Sequence, residues 1–172
     1  MVREPTLALW LEQPYASPPS GFQMRMMQGE DLPQILAIEK EAHFTAWSEQ
    51  AFLDAISVED ILPVVLSHEK IVAYGVLKIL WQEADLLNLA VASEWRRHGL
   101  GRFLVRHLLH SAYKNGAFRV FLEVRQSNIV AQHLYRQEKF TVVGVRKDYY
   151  ATADGGSEDA LLMQWMCDDE TQ

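Results

Sequence analysis

The sequence predicts a single α/β domain, a mixed sheet with flanking helices, and three observations carry that expectation. Its 172 residues suit one domain, since domains commonly hold roughly 100–200 residues. With 49% hydrophobic and 23% charged residues, the chain has an ordinary globular composition. Segments of strand character and of helical spacing then follow in the order strand, two helices, three strands, helix, strand, helix, two strands. In that order the strand–helix–strand steps after Ala84 make parallel crossovers.

Residues 1–21 read as an appendage, because Pro5, Pro14, Pro18, Pro19 and Gly21 interrupt every period. Trp10 and Leu11 are its candidates for docking on the body. Residues 22–167 make the domain, and residues 168–172 a polar tail. Phe22–Met27 suits a short strand. Asp31 is placed to cap a helix to about Ala42, with Leu32, Ile35, Leu36 and Glu39 at helical spacing and Pro33 tolerated in the first turn. Ser48 is placed to cap a second helix, through about Ile56. Leu62–Ser67 and Ile71–Leu80 are β-rich runs around a turn at His68-Glu69-Lys70, and Ala84–Ala92 is a further strand. Leu100, Phe103, Leu104, His107, Leu108 and Ala112 trace one face of an amphipathic helix that ends near Asn115-Gly116. Phe118–Val124 follows as a strand, and Asn128 as the cap of a helix to about Gln137. Phe140–Tyr150 and Asp159–Met166 close the sheet around the Asp154-Gly155-Gly156 loop.

Several function classes are disfavoured. One cysteine, Cys167, allows no internal disulfide. Thr6 to Leu11 is too short for a secretory signal core, and no apolar run reaches the roughly 20 residues of a membrane span; the cytosol is the expected compartment. A net charge of -7 opposes bulk attraction to nucleic acid or to an anionic membrane. His98, His107, His110 and His133 form no recognisable ligand set, so no metal is expected. Charge is unevenly spread: Gly29–Asp60 holds eight acids against Lys40, and Arg96–Arg125 holds seven bases against Glu123. Either these are solvated helix faces, or one suits a cationic ligand and the other a polyanion.

Arg96-Arg97-His98-Gly99-Leu100-Gly101-Arg102 lies between a strand and the amphipathic helix. A helix start leaves about four backbone N–H groups unpaired and carries about half a positive charge. Glycines there let the backbone approach a phosphate, and arginines add charge-assisted contacts. A Rossmann loop would need a glycine where Leu104 stands, and a nucleotide-kinase loop would need Lys where Arg102 stands. A basic turn with a glycine-relieved helix start remains the alternative.

Arg96-x-x-Gly99-x-Gly101 resembles the coenzyme-A pyrophosphate motif of the Gcn5-related N-acetyltransferases (GNAT). Leu122-Glu123-Val124-Arg125-Gln126-Ser127-Asn128 with Leu134-Tyr135 and Phe140, and Asp148-Tyr149-Tyr150 with Asp154-Gly155 and Glu158-Asp159-Ala160, resemble the RimI type within that family. Ile38-Glu39, Ala42-His43 and Trp47-Ser48 resemble its first-helix segment, so the likeness covers about residues 23–166. Ala46 and Ala151 stand where that type has prolines, and Lys139 where it has glycine, a position that requires a left-handed backbone.

The resemblance implies a mostly antiparallel sheet with one splayed parallel strand pair, and acetyl-CoA as cosubstrate without a metal. It implies transfer of acetyl to a protein N-terminus, the N-terminal alanine of a basic small-subunit ribosomal protein. It places the coenzyme on Leu89, Ala90, Val91, Arg96, Arg97, His98, Gly99, Leu100, Gly101, Arg102 and Asn128. Glu123 is implied as the base that accepts the amine proton, and Tyr135 as the acid for the leaving thiolate. Read from the residues alone, Glu123 also suits an acid on the solvent face or a pair with Arg125, and a helix tyrosine such as Tyr135 is more often plain packing. A lysine or small-molecule acceptor, or a coenzyme-A-binding module without turnover, are the alternative readings.

Overall fold

A computed structural model describes residues 17–167; the expected appendage before residue 17, with Trp10 and Leu11, and the polar tail lie outside them. Seven strands form one sheet: β1 (Gln23–Met26), β2 (Ile61–His68), β3 (Lys70–Leu80), β4 (Glu83–Val91), β5 (Arg119–Arg125), β6 (Thr141–Ala151) and β7 (Ser157–Met166). Four helices accompany them: α1 (Leu32–Ala42), α2 (Glu49–Ser57), α3 (Leu100–Lys114) and α4 (Ile129–Gln137). The sheet order is β1-β2-β3-β4-β5-β7-β6. Every pairing is antiparallel except β4 with β5. The crossover through α3 therefore joins adjacent parallel strands. That through α4 joins β5 to a parallel β6, with β7 inserted between them.

The sheet separates two cores. On one side α1 and α2 bury Ile35, Ile38 and Phe52 against Val65, Tyr74 and Val76. On the other α3 buries Leu104, Leu108 and Leu109 against Leu77, Leu86 and Val120, with Tyr135 and Phe140 alongside. Phe52, at 0% exposure, contributes about 1.5–3 kcal/mol by leaving water. Gly75 is needed for this packing: a Cβ there would stand 2.7 Å from Leu108 Cδ1, so α3 lies close on β3.

Ser48 and Asn128 cap as expected, accepting from Ala51 N at 3.2 Å and Ala131 N at 3.1 Å. Asp31 does not cap α1 with its side chain. A 3-10 turn (Gly29–Asp31) precedes the helix, and the Asp31 carboxylate accepts from Gln28 N and from Arg25. The Arg25 hydrogen bond holds that carboxyl below the usual range, against its burial. Lys139 has φ 70, the left-handed conformation expected where the sequence lacks a glycine. Phe140 N closes the helix end on Tyr135 O at 2.9 Å.

Candidate active site

β4 and β5 stay paired only from Glu83/Arg119 to Asp85/Phe121. Beyond that point they part, because β4 is irregular: Leu77 pairs with Leu86 but Val76 with Asn88, so Leu87 is an extra residue. A bulge of this kind bends its strand and raises its twist. Ala92 N donates to Val72 O at 2.8 Å. By alternation along the strand, Ala90 also turns its backbone to β3, and Leu89 and Val91 turn theirs into the gap. Arg96 Nε caps the Val91 carbonyl at 3.2 Å. The gap is thus a wedge with backbone groups on its β4 wall, suited to an extended, amide-bearing chain.

The α3 N-terminus opens beside this wedge. Gly99 occupies its N-cap with φ 77 and ψ 6, and no side chain caps the helix. A Cβ on Gly99 would meet nothing within 4 Å, so the approach is open. A Cβ on Gly101 would stand in ordinary van der Waals contact with Leu134 and Val91, at 3.4 and 3.8 Å. His98 Nδ1 is 2.8 Å from Arg96 O, and Arg97 has φ 63, so the loop is tightly wound. The Nε of Arg102 contacts the buried Glu138, which Arg106 also reaches at 2.7 Å. This leaves an uncapped helix start with orphan donors and an open glycine, which fits a diphosphate.

A cavity fills the wedge in two lobes that meet at Glu123 and Tyr150. Leu89, Asn128, Leu134 and Tyr135 line the first, together with Glu39 and His43. Asp85, Phe121, Arg146, Tyr149 and Leu162 line the second, which opens on the sheet face that α1 and α2 leave uncovered. Tyr135 is buried against Phe140, with ring centroids 5.6 Å apart. Burial pushes its phenol up to about 12, so it keeps its proton at any physiological pH and has it to donate. Tyr150 is likewise pushed up to about 12, by burial and then by the Glu123 charge. Glu123 projects from β5, pairs with Arg146 Nε at 3.0 Å rather than with Arg125, and accepts from the Tyr149 hydroxyl. That hydrogen bond raises Tyr149 in turn.

The polar floor of this cavity is not legible in the sequence. Glu39, one of the acids read as a possible solvated face, is 1% exposed. Its carboxylate accepts from Trp47 N at 2.9 Å, from Asn88 Nδ2 at 3.1 Å and from the Tyr74 hydroxyl. That hydroxyl is raised far above its usual range by burial and then by the Glu39 charge. Tyr74 and Asn88 lie 35 and 49 residues away, so no local pattern announces them. Arg125, Arg146 and Tyr150 were also unassigned to the site. A positive charge two or three strands from a lone strand carboxylate was the available signal for Arg146. Among the described residues, no group of three or more metal-ligating side chains is gathered.

Residues 28–140 match the acetyltransferase (GNAT) family. The chain belongs to that family. This GNAT chain is 36% identical over 137 residues to the [ribosomal protein bS18]-alanine N-acetyltransferase of Escherichia coli, covering 80% of this chain and 92% of that one. It is 33% identical over 143 residues to the putative enzyme of that name in Bacillus subtilis, covering 81% and 92%. The crystal structure of the Escherichia coli enzyme superposes with a TM-score of 0.79 at 35% identity, over 85% of this chain and 94% of that one. Arabidopsis thaliana NAA60 in complex with acetyl-CoA shares the fold, with a TM-score of 0.77 at 17% identity over 84% and 98%. As a GNAT protein with such relatives, the chain is an acetyl-CoA-dependent N-acetyltransferase. The mixed sheet with its parallel β4–β5 pair is the fold expected from the sequence.

Proposed function

We propose that this enzyme acetylates the N-terminal α-amino group of a protein, the N-terminal alanine of a small-subunit ribosomal protein, in the cytosol. The observation that carries the reading is Glu123 at the junction of two lobes, with Tyr135 on the wall of one and the uncovered sheet face outside the other. The 36% likeness to a ribosomal-protein-alanine enzyme supplies the acceptor class.

Acetyl-CoA supplies an activated thioester; the chain's own groups do the rest. The α3 start at Gly99–Gly101, with Arg96, Arg97, His98, Leu100 and Arg102 around it, holds the diphosphate. Leu89, Ala90 and Val91 present the β4 edge, and the gap-facing N–H groups of Leu89 and Val91 are the donors for a developing oxyanion. Asn128 lies beside this path. An α-amine has a pKa of about 7.7–8.0 against about 10.4 for lysine, so a carboxylate needs to take the proton from only part of the population. Glu123 is that acceptor, held by Arg146 and Tyr149. The Tyr135 hydroxyl donates to the departing sulfur.

The test is incubation with acetyl-CoA and peptides that differ in their first residues, read by mass spectrometry. Acetyl on the α-amine of alanine-initiated peptides is expected. Acetyl confined to lysine side chains would overturn the acceptor assignment.

A further inference from the structure

The first lobe, where Thr45, Arg125 and Tyr150 stand beside Glu123, is the acceptor lobe of this reading; the connection between α1 and α2 and the facing ends of β6 and β7 wall it, and one side chain reaches both. Arg125 Nη2 donates to Thr45 Oγ1 at 2.6 Å on the first segment. Its Nη1 donates to Ala151 O at 2.9 Å and to Glu158 Oε1 at 3.0 Å on the second. The guanidinium also lies over the Tyr150 ring at 4.4 Å, with Phe44 beyond it at 5.9 Å. Glu158 is itself fixed, accepting from Ser127 N and Ser127 Oγ at 3.0 Å each. Planar, with donors pointing two ways, arginine alone among side chains can bond both walls and stack at once.

We infer that Arg125 is a positioning residue for the acceptor, a cross-tie that sets the two walls of the acceptor lobe at a fixed separation next to Glu123. It touches none of the atoms that react. Its strand position, two residues after Glu123, puts it on the same face of β5, so the tie and the carboxylate share one rigid element. A chain end entering the lobe meets walls already at the right width, and Tyr150 is kept over the junction by the stack. Neither Arg125 nor Thr45 belongs to the α3 start, so the diphosphate seat does not depend on the tie. This inference rests on the acceptor reading above for the substrate, but not for the tie itself.

Two variants test it. Arg125→Lys keeps the charge and loses the fork and the stack; Thr45→Val removes one acceptor at nearly constant volume. In both, KM for an alanine-initiated peptide is expected to rise about tenfold or more with acetyl-CoA Kd unchanged. Amide hydrogen exchange is expected to quicken together in residues 43–47 and 150–158. The two-wall readout is decisive for Arg125→Lys, because a side chain serving only local stability would loosen one segment. Unchanged exchange in both segments, or a melting-temperature loss with unaltered peptide KM, would overturn the tie. A wild-type enzyme inactive on every α-amine peptide would instead remove the acceptor reading, with the exchange experiment still deciding the tie.

Discussion

Tyr135 and Glu39 are both buried polar side chains on the cavity wall, and their surroundings assign them different work. Tyr135 lines the same lobe as Leu89 and Asn128, a phenol whose proton is held up to about 12 by burial. Tyr135→Phe keeps the ring packed on Phe140 and removes only the donor. Turnover is expected to fall about 10²-fold, the usual scale for one acid–base group, while acetyl-CoA affinity measured by calorimetry stays within twofold. Equal turnover would remove Tyr135 from the chemistry. Glu39 instead faces three donors and offers four lone-pair sites, so it acts purely as acceptor. Glu39→Gln would turn an amide N–H toward the Tyr74 and Asn88 donors. A loss of about 1–3 kcal/mol in a urea titration is expected, the cost of unmatched buried donors. A stability change below about 0.5 kcal/mol would show that the neighbours reorient freely.

The elements themselves were legible from periodicity and caps, and the parallel crossovers from their order, but the place of β7 in the sheet was not. Ser48, Asn128 and the apolar stripe of α3 are local signals, and each element lies within a residue or two of its expected place. Insertion of β7 between β5 and β6 depends on the long-range match of Glu123 with Leu162, which no local window contains. The Leu87 bulge, which opens the wedge, is a one-residue mismatch between two strands and leaves no mark in β4 alone. The glycine loop was legible because conformation and chemistry coincide there: Gly99 is left-handed and stands at an uncapped helix start. Gly99→Glu therefore combines backbone strain with a carboxylate over the orphan N–H groups. Acetyl-CoA Kd is expected to rise about 100-fold or more, with the far-ultraviolet circular dichroism unchanged. Retained affinity would mean that the helix start is not the diphosphate seat. Just past the C-terminus of α4, Lys139→Gly relieves the left-handed backbone at φ 70 and is expected to stabilise the protein by about 0.5–1 kcal/mol in the same urea titration.

At the scale of the molecule, the wedge concentrates phenols where water is scarce, and folding therefore becomes sensitive to alkali. Tyr135 and Tyr150 both move from an ordinary value near 10 up to about 12, chiefly through burial, and Tyr74 moves in the same direction. Below pH 10 or so the native and unfolded chains hold these protons equally, and the tyrosines add no pH dependence. Between about 10 and about 12 the unfolded chain releases them while the native chain keeps them. The native state then binds more protons than the unfolded one, so stability falls as pH rises. Urea midpoints measured from pH 8 upward should be flat with respect to these groups until near 10 and then drop. Lysines also respond in that range, so the difference between proteins is the informative quantity. Tyr135→Phe and Tyr150→Phe should each make the drop shallower, and Tyr149→Phe, at an exposed position, should change it least. A wild-type slope reproduced unchanged by both Tyr135→Phe and Tyr150→Phe would mean that the cavity floor is wet enough for its phenols to ionise as they do in the open chain. Tyr135 would then lose the burial that keeps its proton in place.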